Sequence, residues 1–492
     1  MFKALTIFKK ILAIPLSLFL FISVLSGCAV NPVTGEKELM LVSEAQEIEM
    51  GRSLYPNAIW AAEGGGGEFR DEGLKNYLRD IILKIHGVSH RPNLPVDFAI
   101  QNSSVPNAWA IPGHVVITRG LLAALDSEAE FAFVMGHEMG HVSARHSAKQ
   151  TSYAILQQIG LAAAGAAVAD RKYSDAFLTA GAIGSSLVLL KYSRSDELEA
   201  DRLGLLYMTR LGYDPQGAIS AHRNLEKAVD DYIKSIGKET READFFGELL
   251  STHPRTAVRI EELERMKGSM GPVVVKGDGT GRERFRDMVA GLGKTDRVYR
   301  EYYDKAVRAY REDRFRDAEE LVSRAIEADK DQPPFYALRG FIRLESKDYA
   351  AAAVSFGSAL RIDAGYQPAL RGMGAVNYMR GDYQEGVRYL KEALRIYPED
   401  ASSHYFLGMS YYKTYRYRDA APHLKGFASA QPKHPEVHGA LGVCYEELGD
   451  ARAAYGEYLM QIRVAPYNEM GRLAARRAAV LKPIVERQRI KR

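Results

Sequence analysis

The stretch Gly136-His137-Glu138-Met139-Gly140-His141 places two imidazoles and one carboxylate close together in the chain. In an α-helix, residues four positions apart lie one turn apart on the same face, so His137 and His141 can direct ring nitrogens at one metal ion. Glu138 lies about 100° further round the helix, where it can reach a water molecule bound to that ion. This pattern is typical of a hydrolytic zinc site with glutamate as general base.

The residues before this motif indicate a buried helix. Residues 131–135 are all apolar, and no charged residue occurs between Glu130 and Glu138. A helix with so few polar groups is normally buried in a core. Ser127 and Glu130 predict a capping box at its start. The alternative is a surface helix with two histidines, because so short a motif also arises by chance.

A hydrolytic zinc ion takes three protein ligands and a water molecule, so a third ligand is expected elsewhere in the chain. Residues 193–201 supply candidates on a predicted helix. Glu197 and Asp201 share one face, so one of them can bind the metal while the other accepts a hydrogen bond from a ligating histidine. Glu199 lies on the other side. Taken alone, such a glutamate-rich segment also fits an exposed helix start.

A small antiparallel sheet is predicted beside the motif helix, from alternating apolar residues at 96–100 and a β-branched run at 115–118. Between them lies Asn107-Ala108-Trp109-Ala110-Ile111-Pro112-Gly113, in which the proline favours a sheet edge. Edge strands can pair with an extended peptide, so this segment is a candidate substrate strand. A plain hairpin strand is the alternative. The candidate residues are Asn107, Ala108, Trp109 and Ala110.

Together these motifs resemble the metallopeptidase family that contains the HtpX heat-shock proteases and the zinc CAAX prenyl proteases. The resemblance implies one Zn²⁺ per chain in a zincin-type domain. Residues 107–113 are similar to the family's Asn-Ala-x-Ala-x-Pro-Gly-Gly strand, except that His114 replaces the second glycine. The implied zinc ligands are His137, His141 and Glu197, the implied general base is Glu138, and the family's motif aspartate falls on Asp201 behind the ligands.

The segment Ser251-Thr252-His253-Pro254 begins another predicted helix, with proline in its first turn. On residue type alone, His253 is a loop histidine that caps or packs. The lipoprotein members of the family with helical repeats, the BepA-like outer-membrane assembly proteases, have a similar His-Pro loop over the zinc. That resemblance makes His253 a candidate fourth ligand or regulatory residue. His146 is a weaker candidate for that position than His253, because it is expected about 180° round the helix from His137.

Two apolar segments, 153–169 and 176–190, separate the motifs. Each is shorter than the roughly 20 residues that span a bilayer, and both are rich in small residues. We therefore expect helices packed over the active site, with membrane contact, as in HtpX-type relatives, as the alternative.

Residues 1–27 have the layout of a secretion signal, with early lysines, an apolar run and then small residues. Leu25-Ser26-Gly27-Cys28 resembles the lipobox of bacterial lipoproteins, in which cleavage leaves a cysteine that becomes lipidated. Cys28 is therefore the predicted lipid anchor of a periplasmic protein, and Ala29 favours the outer membrane. An uncleaved membrane anchor is the alternative.

The composition limits the remaining possibilities. The chain has 492 residues, of which 46% are hydrophobic and 26% charged, so two or three domains are expected. The net charge of +4 is small for this length and argues against a nucleic-acid partner. A disulfide between Cys28 and Cys444 is not expected, and Cys444 is predicted to be buried.

After Lys267 the chain becomes rich in glycine and valine, which predicts a boundary. We assign 28–268 to the metallopeptidase domain and 269–298 to a linker with a short strand. Glycines then recur every 34 residues at Gly340, Gly374, Gly408 and Gly442, the period of tetratricopeptide repeats. About five repeats fit residues 299–468, capped by 469–492, with a concave face suited to a protein surface. Large residues expected between units are Phe356, Leu390, Leu424 and Tyr458.

We therefore expect a mostly α-helical protein with a small antiparallel sheet, in which a zincin-type metallopeptidase domain precedes an α-solenoid. The predicted function is that of a lipid-anchored periplasmic zinc endopeptidase acting in envelope protein assembly or quality control. Predicted substrates are unfolded or misassembled envelope proteins, and the repeats are expected to contact the outer-membrane protein assembly machinery. The alternatives are a repeat-based chaperone or scaffold lipoprotein with a silenced protease, and an integral-membrane protease.

Overall fold

A computed structural model describes residues 28–61, 66–167, 192–235 and 257–490. The chain divides between Arg297 and Val298 into two compact units, the first with the histidine motif and the second with the repeats. Both are mainly helical, which confirms the predicted fold class. None of the helices in these ranges is long and apolar enough to cross a bilayer.

The first unit combines short strands with longer helices. Its strands are β1 Cys28–Val30, β2 Lys37–Leu39, β3 Val96–Gln101, β4 Ala108–Ile111 and β5 Gly113–Thr118. Its helices are α1 Glu44–Ala61, α2 Glu72–Gly87, α3 Arg119–Leu122, α4 Glu128–Ser143, α5 His146–Ala167, α6 Arg194–Arg210, α7 Gln216–Ser235, α8 Ala257–Ser269 and α9 Arg282–Val298.

A three-stranded sheet has the order β3-β5-β4. The prediction of an antiparallel sheet is wrong for one pair, because β3 runs parallel to β5, with Val96 opposite Gly113. The loop 102–107 carries the chain past β5 to its other side, where β4 runs antiparallel to β5 and the turn at Pro112 reverses the chain again. Two reversals between β3 and β5 leave these strands parallel. β1 and β2 form a separate antiparallel pair.

β4 is an edge strand, since no other described strand pairs with its outer side. Pro112 lies in the turn after the strand rather than inside it. Trp109 packs on the α1 side of the sheet, and its indole N–H donates to Gln101. Ala108 and Ala110 point the other way, into the core that contains α4. All four residues of β4 are buried.

α4 begins at the predicted cap. The hydroxyl of Ser127 accepts a hydrogen bond from the backbone N–H of Glu130, which satisfies one of the free donors of the first turn. The reciprocal half of the predicted capping box is absent, because the Glu130 carboxylate accepts from the backbone N–H of Asp126 and from the amide of Asn224 in α7. The helix is buried along most of its length, as its apolar sequence predicted.

α4 and α6 pack with their backbones almost in contact. A Cβ atom on Gly136 would lie 3.1 Å from the Cα of Gly204, and one on Gly204 would lie 2.9 Å from the backbone nitrogen of His137. A Cβ atom on Gly140 would lie 3.2 Å from the Cα of Ala200. Larger side chains would force the helices apart, so these glycines bring the start of α6 beside the histidine motif.

The segment predicted as a linker belongs largely to the first unit. Residues 273–275 do not form the predicted strand. α9 instead inserts Phe285 and Leu292 into the core of this unit, and Asp296 forms a buried ion pair with Arg119. The many charged residues of α9 led to its prediction as part of a linker. One face of the helix is nevertheless apolar and packs in the core.

The second unit is a stack of five helix pairs, preceded by a π-helical turn at Tyr299–Tyr303. The pairs are α10 Asp304–Arg311 with α11 Phe315–Ala328, α12 Pro333–Glu345 with α13 Tyr349–Ile362, α14 Gln367–Arg380 with α15 Tyr383–Ile396, α16 Ala401–Lys413 with α17 Tyr417–Ala430, and α18 Val437–Glu447 with α19 Ala451–Val464. A final helix, α20 Glu469–Ile490, packs on α19 through Ala474, Ala478 and Leu481. It occupies the place of the predicted cap.

The recurring glycines lie where the two helices of each pair cross. Each large residue packs on the glycine of its own pair, and Phe356 also reaches Gly372 of the next pair. The large residues were predicted to fill the space between units. They fill the space within each helix pair, and Phe356 also fills space between neighbouring pairs. The contacts are Gly340 with Phe356, Gly374 with Leu390, Gly408 with Leu424, and Gly442 with Tyr458. Cys444 is buried in this unit, as predicted.

Gly374→Ala should destabilise the repeats by about 1–3 kcal/mol, because the new Cβ would lie 2.3 Å from Cγ of Leu390 in a packed layer. Gly357→Ala in α13 is the matched control. A Cβ atom there has nothing within 4 Å, so the better helix former should stabilise by up to about 1 kcal/mol. Urea unfolding followed by circular dichroism measures both, and shifts of the same sign would contradict this packing.

Candidate metal centre

Three predicted metal ligands converge between α4 and α6. The Nε2 atoms of His137 and His141 lie 3.1 Å apart. Oε2 of Glu197 lies 3.6 Å from Nε2 of His137, and Oε1 lies 3.5 Å from Nε2 of His141. All three side chains are buried, and they form the group of potential ligands found in the described part of the chain. The structure thus brings together residues from two helices far apart in sequence.

The separations of 3.1, 3.5 and 3.6 Å lie on either side of those in a tetrahedral zinc site. Bonds of about 2.0–2.1 Å at tetrahedral angles place neighbouring donor atoms about 3.3–3.5 Å apart. Two imidazoles and one carboxylate are also a donor set of hydrolytic zinc sites, which keep a fourth position for water. The residues present therefore fit a zinc ion.

The outer nitrogen of His137 is held by Asp201. Its Nδ1–H donates to Oδ1 of Asp201 over 2.9 Å, which leaves the Nε2 lone pair directed at the other ligands. Glu197 and Asp201 lie one turn apart on α6, so one carboxylate faces the converging nitrogens and the other stands behind a histidine. The geometry thus separates the two roles that the spacing alone had left open.

The outer nitrogen of His141 is held by His146. The two Nδ1 atoms lie 2.9 Å apart, and Nε2 of His146 lies 3.3 Å from Oε2 of Glu199. A metal-facing Nε2 on His141 requires its proton at Nδ1. We therefore assign Nδ1 of His146 as the acceptor and its Nε2–H as the donor to Glu199. That hydrogen bond lowers the pKa of Glu199 despite burial.

His146 is not one of the three converging candidate ligands, but the expectation that it lies on the far side of the helix from His137 is wrong. It assumed one continuous helix, whereas α4 ends at Ser143 and Arg145 adopts a left-handed backbone with φ 59°. α5 then starts in a new direction at His146, and its first side chain folds back onto the motif. No pattern in the sequence marked this break, because Arg145 is neither glycine nor asparagine.

Glu138 follows His137 on α4. It lines a cavity of about 60 Å³ together with His137 and, from the edge strand, Asn107 and Ala108. The predicted general base and part of the predicted substrate strand therefore border the same space. Trp109 faces the opposite side of the sheet and does not line this cavity.

Sequence reasoning missed Arg259 in α8. Its guanidinium donates to Asp201 over 2.6 and 2.7 Å and lies 2.8 Å from Oε2 of Glu197. Burial opposes the charged form, but Asp201 and Glu197 hold the pKa of Arg259 above its usual range. Burial likewise opposes ionisation of Asp201, yet Arg259 holds the pKa of that carboxyl well below its usual value. A separation of 58 residues from Asp201 hid this contact from any local motif.

Two aromatic rings restrict the same histidines and carboxylates. Tyr192 stacks on His141 with ring centroids 3.9 Å apart, and its hydroxyl lies 3.0 Å from that of Ser147. Nε2 of His222 lies 3.4 Å from Oδ1 of Asp201, and burial lowers the pKa of His222. The site is thus enclosed by side chains from α4, α5, α6, α7 and α8.

The remaining predicted residues lie elsewhere. His114 stacks on Tyr55 of α1 with ring centroids 4.0 Å apart, and it is not among the described residues that line the cavity beside Glu138. The backbone of Cys28 begins β1, but its side chain lies outside the described residues, as do His253 and the segment 176–190. Their predicted roles stay predictions.

A known family model matches part of each unit. Residues 72–267 match the model of peptidase family M48, and residues 303–368, 377–416 and 407–463 match that of the tetratricopeptide repeat. The predicted combination of a metallopeptidase domain with tetratricopeptide repeats is therefore confirmed.

Two curated relatives illustrate the similarity. The chain is 27% identical over 251 residues to the beta-barrel assembly-enhancing protease of Escherichia coli (strain K12), a match that covers 50% of this chain and 48% of that protein. It is 32% identical over 219 residues to the mitochondrial metalloendopeptidase OMA1 of Arabidopsis thaliana, covering 43% of this chain and 40% of that protein. The chain spans about half the length of these curated relatives or less.

His146→Ala should weaken Zn²⁺ binding by about 10- to 100-fold, because the Nδ1–H of His141 loses the acceptor that orients the ring. Competition with a chromophoric chelator measures the affinity. His434→Ala in the repeats is the control for loss of a histidine as such. An affinity of the His146→Ala chain within twofold of wild type would contradict the assigned hydrogen-bond chain.

Proposed function

Because the chain carries a peptidase family M48 domain followed by tetratricopeptide repeats, we propose that it is a zinc-dependent endopeptidase. The observation that carries this proposal is the convergence of His137, His141 and Glu197, with Glu138 lining a cavity next to His137. Two histidines one turn apart, a carboxylate from a second helix and a neighbouring glutamate are the parts that peptide hydrolysis by a zinc enzyme requires.

The protein groups divide the chemistry among them. When bound, zinc would polarise the scissile carbonyl and lower the pKa of the attacking water. Glu138 accepts the proton of that water and then delivers it to the leaving amine. Asp201 and His146 hold the two imidazoles in the tautomer that presents Nε2.

The edge strand β4 is the proposed docking strand for the substrate backbone. The backbone N–H of Thr118 donates to the carbonyl of Asn107, so alternate residues from Asn107 onward bond to β5. The peptide groups of Ala108 and Ala110 then point to the outer side of the strand, where an extended peptide can pair. Because these residues are buried, pairing requires a change of conformation at this edge.

For the setting of this activity we propose the periplasm, with lipid attachment at Cys28 to the outer membrane. The lipobox-like sequence before Cys28 supports this location. The printed name of the Escherichia coli relative, a beta-barrel assembly-enhancing protease, supports unfolded or misassembled envelope proteins as substrates. The tetratricopeptide repeats, a protein-binding architecture, support contact with the outer-membrane protein assembly machinery. Nothing in the charge of the chain favours nucleic acid.

A second candidate function is client binding with the protease silenced, in which His253 fills the fourth metal position. The five stacked helix pairs favour it, because such stacks bind protein surfaces whether or not an enzyme is attached. The two candidates differ in whether wild-type chain cleaves what it binds.

Glu138→Gln should abolish cleavage of an unfolded protein such as casein, with a loss of about 10²- to 10⁴-fold, because the proton acceptor is gone. Zinc content should stay at one ion per chain, because Glu138 is not among the three ligands. Turnover and metal analysis on the same samples measure both, with Glu262→Gln as control, a partly exposed carboxylate that pairs with Arg265.

Cleavage that survives in the zinc-loaded Glu138→Gln chain would contradict the assignment. Wild-type chain that captures casein as well as the variant does, but cleaves none of it, would favour the client-binding candidate.

A further inference from the structure

Arg259 is buried, which is uncommon for arginine. It is in the first turn of α8, its side chain is only 7% exposed, and the same helix face buries Leu263 in the core. A guanidinium is seldom buried unless its donors are satisfied by acceptors of opposite charge. The acceptors around the guanidinium therefore account for the buried position of Arg259.

All three guanidinium nitrogens reach carboxylate oxygens of α6. Nε and Nη2 hold the two oxygens of Asp201 as a fork, at 2.7 and 2.6 Å. Nη1 lies 2.8 Å from Oε2 of Glu197. One side chain from α8 thus bridges two carboxylates one turn apart on α6, which would otherwise repel each other.

The bridge contacts a candidate metal ligand, Glu197, and the residue that orients another, Asp201. At Glu197 it holds the carboxylate by an ion pair at Oε2, while Oε1 of the same carboxylate lies 3.5 Å from Nε2 of His141. At Asp201 it fixes the carboxylate whose Oδ1 accepts the Nδ1–H of His137. A salt bridge needed only to join α8 to α6 would be complete with Asp201 alone.

We propose that Arg259 is a positioning residue of the metal centre, which sets the orientation of Glu197 and, through Asp201, of His137. This inference rests on the proposed zinc-dependent function. The positive charge itself opposes a nearby cation, but Asp201 neutralises it at contact distance. Orientation is therefore the larger effect, and loss of Arg259 weakens metal binding.

The bridge depends on the shape of arginine. A lysine at 259 keeps the positive charge, but its single ammonium cannot form a planar fork on Asp201 and reach Glu197 at the same time. Arg259→Lys therefore separates charge from geometry, while Arg259→Met removes both and keeps much of the length. Arg265 is the matched control, since it lies on the same helix, pairs with Glu262 and has a side chain 67% exposed.

The test is made on the full chain, freed of metal and titrated with Zn²⁺ against a chelator, and then with Co²⁺. We expect Zn²⁺ affinity to fall by about 10- to 100-fold in both Arg259→Met and Arg259→Lys, and to be unchanged in Arg265→Met. The visible absorption of bound Co²⁺, whose intensity reports the coordination geometry, should change in both Arg259 variants because Glu197 loses the guanidinium contact that orients it.

Circular dichroism establishes that each variant is folded, and if Arg259→Met is not, Arg259→Lys alone decides. Zn²⁺ affinity within twofold of wild type and an unchanged Co²⁺ spectrum in the folded Lys variant would overturn the proposal, because charge alone would then suffice. Wild-type chain that binds Zn²⁺ but cleaves no peptide would contradict the proposed function while leaving the Arg259 comparison intact.

Discussion

The close contact of α4 with α6 is the constraint on which the rest of the first unit depends. A Cβ atom on Gly136, Gly140 or Gly204 would lie only 2.9–3.1 Å from an atom of the facing helix. At this helix separation the Glu197 carboxylate on α6 comes within 3.6 Å of the His137 and His141 imidazoles on α4. The glycines inside the histidine motif therefore contribute to the candidate metal site, because they set the distance that the ligands must span.

Such a site concentrates charge in a buried place, and the surrounding helices compensate for it. Asp201 and Arg259 support one side of the site, and His146 with Glu199 supports the other. Buried ionisable groups are tolerated only when each has partners, and the same partners fix the ring tautomers that a metal requires. Stability and preorganisation of the centre thus have the same physical origin in this unit.

The sequence was sufficient where the signal is local and periodic. Helical spacing identified His137 and His141, and the repeat period located the glycines that the large residues cover. It was insufficient where the outcome depends on chain path. The parallel β3–β5 pair arises from a loop that passes the end of β5, and the turn at Arg145 places His146 behind His141. Arg259 enters from a helix that no local pattern connects to the motif.

The central claim is that this buried group holds a catalytic zinc ion, and the zinc content of purified chain tests it most directly. Wild-type and Glu197→Ala chains are both dialysed against a weak chelator. Inductively coupled plasma analysis then compares the zinc content of a site with three protein ligands with that of a site with two. The account predicts one zinc per wild-type chain and less than about a tenth of that in the variant, since a hydrolytic site needs three protein ligands. Equal zinc in the two chains, or none in wild type, would contradict it.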